Sequence, residues 1–263
     1  MVITGNNEFI ATGNENKTII LYSFLTRKCE CVLKGHRKRI VCLENSHDGS
    51  FIASAGDNTV RIWNPYRKSC DAVFEGHSDL VTSLAITSDN LFIVSSGNDK
   101  MIKLWDIKLK VLVFAYSGHS DFIRTLAITK NSRFIISGSL DKSIRKWDLK
   151  NRSEPFMIFQ GHNDLVDTIA INNDQTCLAS GSKDFSIKLW DLKNNLEICT
   201  LKGHKKPVLA LAFSNDENYL YSATKDNIVY IWDLKSKKKT SEFTTLKPAI
   251  DWISNYEKCN HFY

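Results

Sequence analysis

Residues 181–191 read "GSKDFSIKLWD": a small pair, an aspartate one residue on, a mix of apolar and polar residues, then Trp-Asp. The string recurs along the chain. "AGDNTVRIWN" ends at Asn64, "GNDKMIKLWD" at Asp106, "SLDKSIRKWD" at Asp148 and "TKDNIVYIWD" at Asp233. Trp63, Trp105, Trp147, Trp190 and Trp232 are therefore one position written five times. About 28 residues before each stands Gly-His, as Gly35-His36, Gly76-His77, Gly118-His119, Gly161-His162 and Gly203-His204. The period is about 42 residues. A self-similar period of this size is read before anything else, because it decides the architecture.

Inside one period the apolar runs are short. Between His77 and His119 they are "LVTSLAIT", "LFIVSS", "MIKLWDI" and "VLVFAY", rich in Val, Ile, Leu, Phe and Tyr, with turn-formers "SDN" and "GNDK" between them. Four such runs joined by tight turns make a small antiparallel sheet. One sheet of this size cannot bury both faces, so it stacks on the next copy. Closing the row gives a β-propeller.

The five ordered pairs of Gly-His with Trp-Asp, written Trp63-Asn64 in the first of them, carry a resemblance to the WD-repeat β-propeller family, over nearly the whole chain. The resemblance implies an all-β fold of four-stranded antiparallel blades, residues 1–263 forming a single propeller domain. Six blades are recognisable, in units ending near Tyr22, Trp63, Trp105, Trp147, Trp190 and Trp232, and a partial seventh unit spans 245–263. The first unit is the least regular. "MVITGNNEFIATGNENKTIILYSF" aligns with "LAITSDNLFIVSSGNDKMIKLWDI", which puts Met1 to Thr4 in an inner strand and Thr12, Asn16 and Tyr22 where later units have Ser, Asp and Trp. "KPAIDWISNYEKC" resembles "KPVLALAFSNDEN", so Pro248 to Ser254 is the expected inner strand of the partial unit. Propellers of this family are usually closed by a blade that shares strands from both termini. Those strands are largely missing, which leaves a fragment, an imperfect closure or completion by a partner as the alternatives.

The resemblance also assigns the recurring polar residues. His162, Ser180, Asp184 and Trp190 are expected to form a buried chain of hydrogen bonds, with the same quartet in His36, Ser54, Asp57, Trp63; His77, Ser95, Asp99, Trp105; His119, Ser137, Asp141, Trp147; and His204, Ser222, Asp226, Trp232. The chemistry is self-consistent. An indole N–H only donates, a hydroxyl relays, a neutral imidazole donates and accepts, and a carboxylate only accepts. Every group can be satisfied, as buried polar groups require. The quartet is thus expected as a structural clasp.

Ser, His and Asp are also the members of a nucleophilic triad. A catalytic constellation is normally single, though, and this one occurs five times, each with a tryptophan that has no catalytic use there. The sequence has no Gly-rich phosphate loop and no His-Glu-x-x-His. Outside the Gly-His pairs only His47 and His261 remain. No catalytic residue, metal site or cofactor is expected, and the chain is read as no enzyme.

Composition narrows the setting. The 263 residues suffice for one sizeable core. "MVITGNNEFI" has neither the basic start nor the apolar run of a signal peptide. No apolar run approaches the ~18 residues of a membrane span. Seven cysteines are scattered without a Cys-x-x-Cys pair, and Cys29 and Cys31 suit packing more than zinc. A reducing, intracellular compartment, cytoplasmic or nuclear, is expected. The net charge of +6 permits an acidic or nucleic-acid partner without demanding one.

Binding is expected on the loops that follow Gly-His, because loops on a rigid scaffold usually carry function. In ring order they read "RKRIV", "SDLVT", "SDFIR", "NDLVD" and "KKPVL", with "LKPAI" in the partial unit. Asp79, Asp121 and Asp164 make an acidic arc. Arg37, Lys38, Arg39, Lys205, Lys206 and Lys247 make a basic one. Leu80, Phe122, Leu165 and Pro207 lie nearer the channel mouth, with Arg124 and Asp167 on neighbouring blades, an apolar ring edged with charge that suits a peptide anchor. The opposite face carries lysine-rich segments after Trp-Asp, of which Lys235 to Lys239 is the densest, and acidic hairpin loops with Glu8, Asp48, Asp89, Asp174, Asp216 and Glu217.

The expected function is a non-catalytic protein–protein interaction scaffold or substrate receptor in a larger complex, with proteins or peptides as partners and neither a membrane nor a small-molecule substrate. The alternative is a nucleic-acid-associated propeller of an RNA-processing particle using the lysine-rich face. No aromatic residues interleave with those lysines, which weakens single-strand binding. Salt separates the two, since phosphate binding falls steeply as salt rises.

Overall fold

A computed structural model describes residues 1–4, 7–152 and 154–245. The partial unit, with Lys247 and the expected strand Pro248 to Ser254, lies outside the described residues beyond Thr245. So do Gly5, Asn6 and Ser153.

The described residues hold six four-stranded antiparallel sheets, each built from consecutive strands. The first is β1 (Val2–Ile3), β2 (Phe9–Gly13), β3 (Thr18–Ser23) and β4 (Cys29–Lys34). The second is β5 (Cys42–Asn45), β6 (Ile52–Ala55), β7 (Thr59–Asn64) and β8 (Ser69–Glu75). The third is β9 (Val81–Ile86), β10 (Phe92–Gly97), β11 (Ile102–Asp106) and β12 (Val111–Tyr116). The fourth is β13 (Ile123–Ile128), β14 (Phe134–Ser139), β15 (Ile144–Asp148) and β16 (Met157–Phe159). The fifth is β17 (Val166–Ile171), β18 (Cys177–Ser182), β19 (Ser186–Asp191) and β20 (Leu196–Lys202). The sixth is β21 (Val208–Phe213), β22 (Tyr219–Thr224), β23 (Ile228–Asp233) and β24 (Lys238–Thr244). The inner strands β1, β5, β9, β13, β17 and β21 neighbour one another in that order. This is a six-bladed all-β propeller. Among the described residues no ladder joins the first sheet to the sixth.

The core lies between blades. Val94, Ile102 and Leu104 of the third blade pack with Ile123, Leu126 and Trp147 of the fourth in one buried cluster. Equivalent clusters sit between the second and third, the fourth and fifth, and the fifth and sixth blades. Each clasp tryptophan faces the blade before it. Trp105 meets Phe74 with ring centroids 5.4 Å apart, Trp147 meets Tyr116 at 5.7 Å and Trp190 meets Phe159 at 5.4 Å.

The glycine of Gly-His has a backbone and a steric reason. Gly118 has φ +152°, and a Cβ there would stand 2.7 Å from Arg145 Nη1 and 3.1 Å from Trp147 Cη2. Only a residue without a side chain lets the loop pass so close over the tryptophan.

Candidate interaction surface

The clasp fixes the loops that could bind. In the fourth blade Trp147 Nε1 donates to Ser137 Oγ over 2.8 Å, and Ser137 Oγ lies 2.7 Å from His119 Nε2. His119 Nδ1 lies 2.7 Å from Asp141 Oδ2, which also accepts the Ser120 N–H at 3.0 Å. Because indole only donates and carboxylate only accepts, the serine hydroxyl donates to Nε2 and the imidazole is neutral with its proton on Nδ1. The loop after Gly-His is thereby tied to the sheet through its first backbone amide.

The fifth blade repeats this. Trp190 donates to Ser180 at 2.8 Å, Ser180 meets His162 at 2.8 Å, and His162 Nδ1 lies 3.0 Å from Asp184. So does the third, where Trp105 and His77 each lie 2.7 Å from Ser95 Oγ and His77 Nδ1 lies 2.7 Å from Asp99. In the second, Trp63 and His36 each lie 2.7 Å from Ser54 Oγ. There His36 Nδ1 comes within 3.2 Å of Asp57 Oδ1 but without hydrogen-bond alignment, and the Arg37 N–H takes the other carboxylate oxygen at 2.8 Å.

The sixth blade departs from the expected quartet. Trp232 and His204 each lie 2.7 Å from Ser222 Oγ, but His204 Nδ1 is buried without a hydrogen-bond partner among the described residues. Asp226 takes the Thr224 hydroxyl instead, and the imidazole packs edge-on against Tyr230 at 4.2 Å. The cause is local. In the second, fourth and fifth blades Thr59, Ser143 and Ser186 sit two residues after the aspartate and hold it by its Oδ1. The third has Met101 there and keeps its His77–Asp99 bond, so what sets the sixth apart is Thr224, two residues before Asp226, whose hydroxyl takes the carboxylate.

Electrostatics follow the bonds. Burial pushes His119 and His162 below the ordinary imidazole value in spite of their aspartates, and His36 likewise. His204, buried with only a distant pull from Asp226, falls to about 4. Burial pushes the Asp184 carboxyl up, but the hydrogen bonds from Ser186, the Asn163 N–H and His162 outweigh it and bring it down to about 2. Asp57 reaches about 2 by the same balance, with Arg37 and Thr59 as donors. The serines of all five clasps are fully buried. None of their hydroxyls is open to a substrate.

On the Gly-His face Arg37, Lys38, Arg39, Lys205 and Lys206 are exposed, and Leu80 and Leu165 are half-buried. Phe122 is 36% exposed and stands on a loop held from below. The acidic arc is partly consumed by its own loops: Asp79, Asp121 and Asp164 accept the N–H of Leu80, Phe122 and Leu165 at 2.6, 2.8 and 2.8 Å. Ser139 and Ser182 in turn donate to the carbonyls of Asp121 and Asp164. Arg124 and Asp167, expected on neighbouring blades at the channel mouth, bind each other across the fourth and fifth blades at 3.3 Å. Burial pushes the Asp167 carboxyl up against the pull of Arg124. Asp167 is therefore the inner support and Arg124, half exposed, the outward group.

The acidic hairpin residues of the other face are likewise engaged within their own loops. Asp48, Asp89, Asp174 and Asp216 cap their own hairpin turns by accepting the N–H of Ser50, Leu91, Thr176 and Asn218 at 3.0 to 3.2 Å. Lys239 pairs with Glu242 at 2.8 Å and lies over the Tyr230 ring. At the far ends of the inner strands a cavity of about 440 Å³ opens between Leu84, Ile86, Leu126, Ile128, Ile169 and Ile171, with Lys130 at its rim. The sequence reading passed over it, although the repeated "LAI", "LAI" and "IAI" of the inner strands were its signal. Among the described residues no cluster of His, Cys, Asp and Glu could hold a metal ion, and no helix is long and apolar enough to cross a membrane.

Comparison with known proteins agrees with this geometry. The chain is 26% identical over 102 residues to a p21-activated protein kinase-interacting protein 1-like protein of Xenopus laevis, a match that covers 39% of this chain and 28% of that protein. The family model for the WD domain, G-beta repeat, matches residues 27–64, 68–106, 110–148, 153–191 and 196–233, five consecutive copies that fill most of the chain. Proteins of this kind generally act as scaffolds for protein–protein interaction, and with five matched repeats, each centred on one clasp, this chain belongs to the WD40 repeat family.

Proposed function

We propose that this protein is a non-catalytic scaffold of a larger intracellular assembly that holds a partner polypeptide at the channel mouth of the Gly-His face. One observation carries the reading: Phe122 is exposed on a loop that the clasp, Asp121 and Ser139 hold rigid, beside an Arg124 that Asp167 orients outward. A pre-organised aromatic with an adjacent guanidinium is the pairing in which binding energy concentrates. The partner side chain would be an apolar anchor next to a carboxylate, with Leu80 and Leu165 completing the apolar ring. Among the described residues Cys29, Cys31, Cys70, Cys177 and Cys199 form no disulfide, which supports a reducing compartment. The name of the Xenopus protein describes a kinase-interacting role, which supports protein partners here also.

The experiment compares Phe122→Ala/Arg124→Gln with a variant of the opposite face, Lys235, Lys237 and Lys238 changed to Glu, in affinity capture from cell extract. The first should keep its melting temperature, since neither residue belongs to a clasp, and lose partners that the wild type recovers. Loss confined to the lysine variant, or loss of RNA, would favour the nucleic-acid reading and overturn this one.

A further inference from the structure

The six blades are near-copies, so each outer strand can be compared with its sisters at the same register. The outer strand ends its sheet, and its outward N–H and C=O groups have no ladder partner. Such edges invite pairing with another chain, and natural sheets blunt them with charge. Four of them here are blunted: β4 carries Glu30 and Lys34, β8 Asp71 and Glu75, β20 Glu197 and Lys202, and β24 Lys238, Lys239 and Glu242. The β16 edge is only three residues long. The β12 edge, "VLVFAY", has six residues and no charge.

The difference falls at matched positions. Leu112 pairs with Trp105, where the fifth blade pairs Glu197 with Trp190 and the sixth pairs Lys239 with Trp232. Val111 pairs with Asp106, where the sixth blade pairs Lys238 with Asp233. Val113 occupies the bulge that is Asp71 in the second blade and Glu30 in the first. Val111 and Leu112 are 49% and 44% exposed, and Leu109 in the preceding turn 68%. Val113 and Phe114 are turned inward onto the cluster between the third and fourth blades. Leu196, at the Val111 register of the fifth blade, is exposed as well, but sisters with Glu197 or Lys239 at the Leu112 register and with Arg67, Asn194 or Ser236 at the Leu109 position show that the fold has no internal need for exposed aliphatic side chains there.

The charges around the edge select an occupant. From Ile107 to Ser120 the chain has no carboxylate, while Lys108 and Lys110 flank the exposed apolar run. Two acids lie near, and both are engaged: Asp106 accepts the Leu109 N–H at 2.7 Å and Asp71 accepts the Ser69 hydroxyl at 2.8 Å. Lys110 reaches the Asp71 carbonyl at 2.8 Å, which fixes its ammonium beside the start of the strand.

We propose that the β12 edge is a second docking surface, and that its occupant is an extended segment of another protein that adds apolar side chains over Leu109, Val111 and Leu112 and sets a carboxylate against Lys108 and Lys110. The bulge at Val113 keeps the added ladder short, so side-chain burial supplies specificity and most of the contact. The surface is separate from the Gly-His face, so the two readings can fail independently.

The test uses displayed linear peptides panned against the wild-type chain with depletion on Leu112→Lys, each enriched peptide then being synthesised and titrated by fluorescence anisotropy. Enriched peptides should alternate apolar residues and carry Asp or Glu at one end. Leu112→Lys should weaken them by about ten-fold or more, the loss of one buried anchor, and Lys108→Glu should weaken them as well. Ile198→Lys, at the matched bulge of the fifth blade, and Phe122→Ala/Arg124→Gln should leave them unchanged. Leu112→Lys should melt like the wild type, since Lys239 already occupies that register position in β24. Peptides that bind wild type and Leu112→Lys alike, or discriminating peptides without carboxylates, would overturn the proposal. Concentration-dependent self-association abolished by Leu112→Lys, with no peptide enriched, would assign the edge to a second copy of this chain and overturn it equally.

Discussion

Asp141→Ala and Asp226→Ala remove the same residue from the same turn of two blades, yet they should differ sharply. Asp141 accepts from His119 Nδ1, the Ser120 N–H, and the N–H and hydroxyl of Ser143 at 2.6 to 3.0 Å. Its loss strands a buried imidazole N–H and a buried hydroxyl, each worth about 1–3 kcal/mol when unpaired. Ser143 Oγ also lies 3.4 Å from His119 Nδ1, so the two can partly relieve each other. The Ser120 amide is reached by water. The sum is about 2–4 kcal/mol. Among the described residues Asp226 takes only the Thr224 hydroxyl and His204 Nδ1 has no hydrogen-bond partner already, so its removal should cost about 1 kcal/mol or less. For a chain of this size these figures correspond to a melting shift of roughly 5–15 °C for Asp141→Ala and roughly 3 °C or less for Asp226→Ala. Scanning calorimetry at pH 7.5 measures both. Equal shifts would mean that the carboxylate serves only its turn, and that the bond to histidine contributes nothing.

Acid should unfold the protein in a defined window. The folded-state values of His36, His119, His162 and His204 lie below the ordinary 6.5, so the unfolded chain takes up protons first. Stability is then complete above pH 6.5 and lost as pH falls toward the folded values, and His204 alone, at about 4, accounts for about 3 kcal/mol. The depressed Asp57 and Asp184 add a further loss below their ordinary 3.8, down to about 2. Urea midpoints should be flat from pH 7 to 8 and fall between 6.5 and 4, and a midpoint unchanged down to pH 5 would refute neutral buried imidazoles. Gly118→Ala should cost roughly 1–3 kcal/mol through φ and contact with Trp147, whereas Gly203→Ala, whose Cβ would meet nothing closer than 3.5 Å, should cost less. Matched urea titrations of the two variants decide the ranking.

The repeat made the fold legible, because Gly-His and Trp-Asp fix where each strand starts and which side chain crosses to the next blade. The serine and tryptophan positions of the clasp were legible for the same reason, being set by register within one hairpin. The aspartate was less so. Its spacing in the sixth blade is that of the others, but there the Thr224 hydroxyl two residues before it takes the carboxylate in place of His204. The mouth was legible as a set of residues and not as a set of bonds. Arg124 and Asp167 are 43 positions apart, and only the side-by-side placement of β13 and β17 makes them partners. The apolar edge was hidden because "VLVFAY" reads as an ordinary strand until its sisters show charge at the same register.

The inward turn of each tryptophan onto the blade before it gives the array a direction. Trp105 needs Phe74, Trp147 needs Tyr116 and Trp190 needs Phe159, always a residue made earlier in the chain. On the ribosome, where N-terminal parts fold first, every new blade meets its docking wall already built, and its own clasp is complete once the tryptophan, 28 residues after the histidine in the fourth blade, has been made. Synthesis in the natural order therefore runs downhill blade by blade. A permuted chain that kept neighbouring blades in sequence would break that order only at its new first blade, while one that interleaved them would leave several indole rings waiting for walls not yet made.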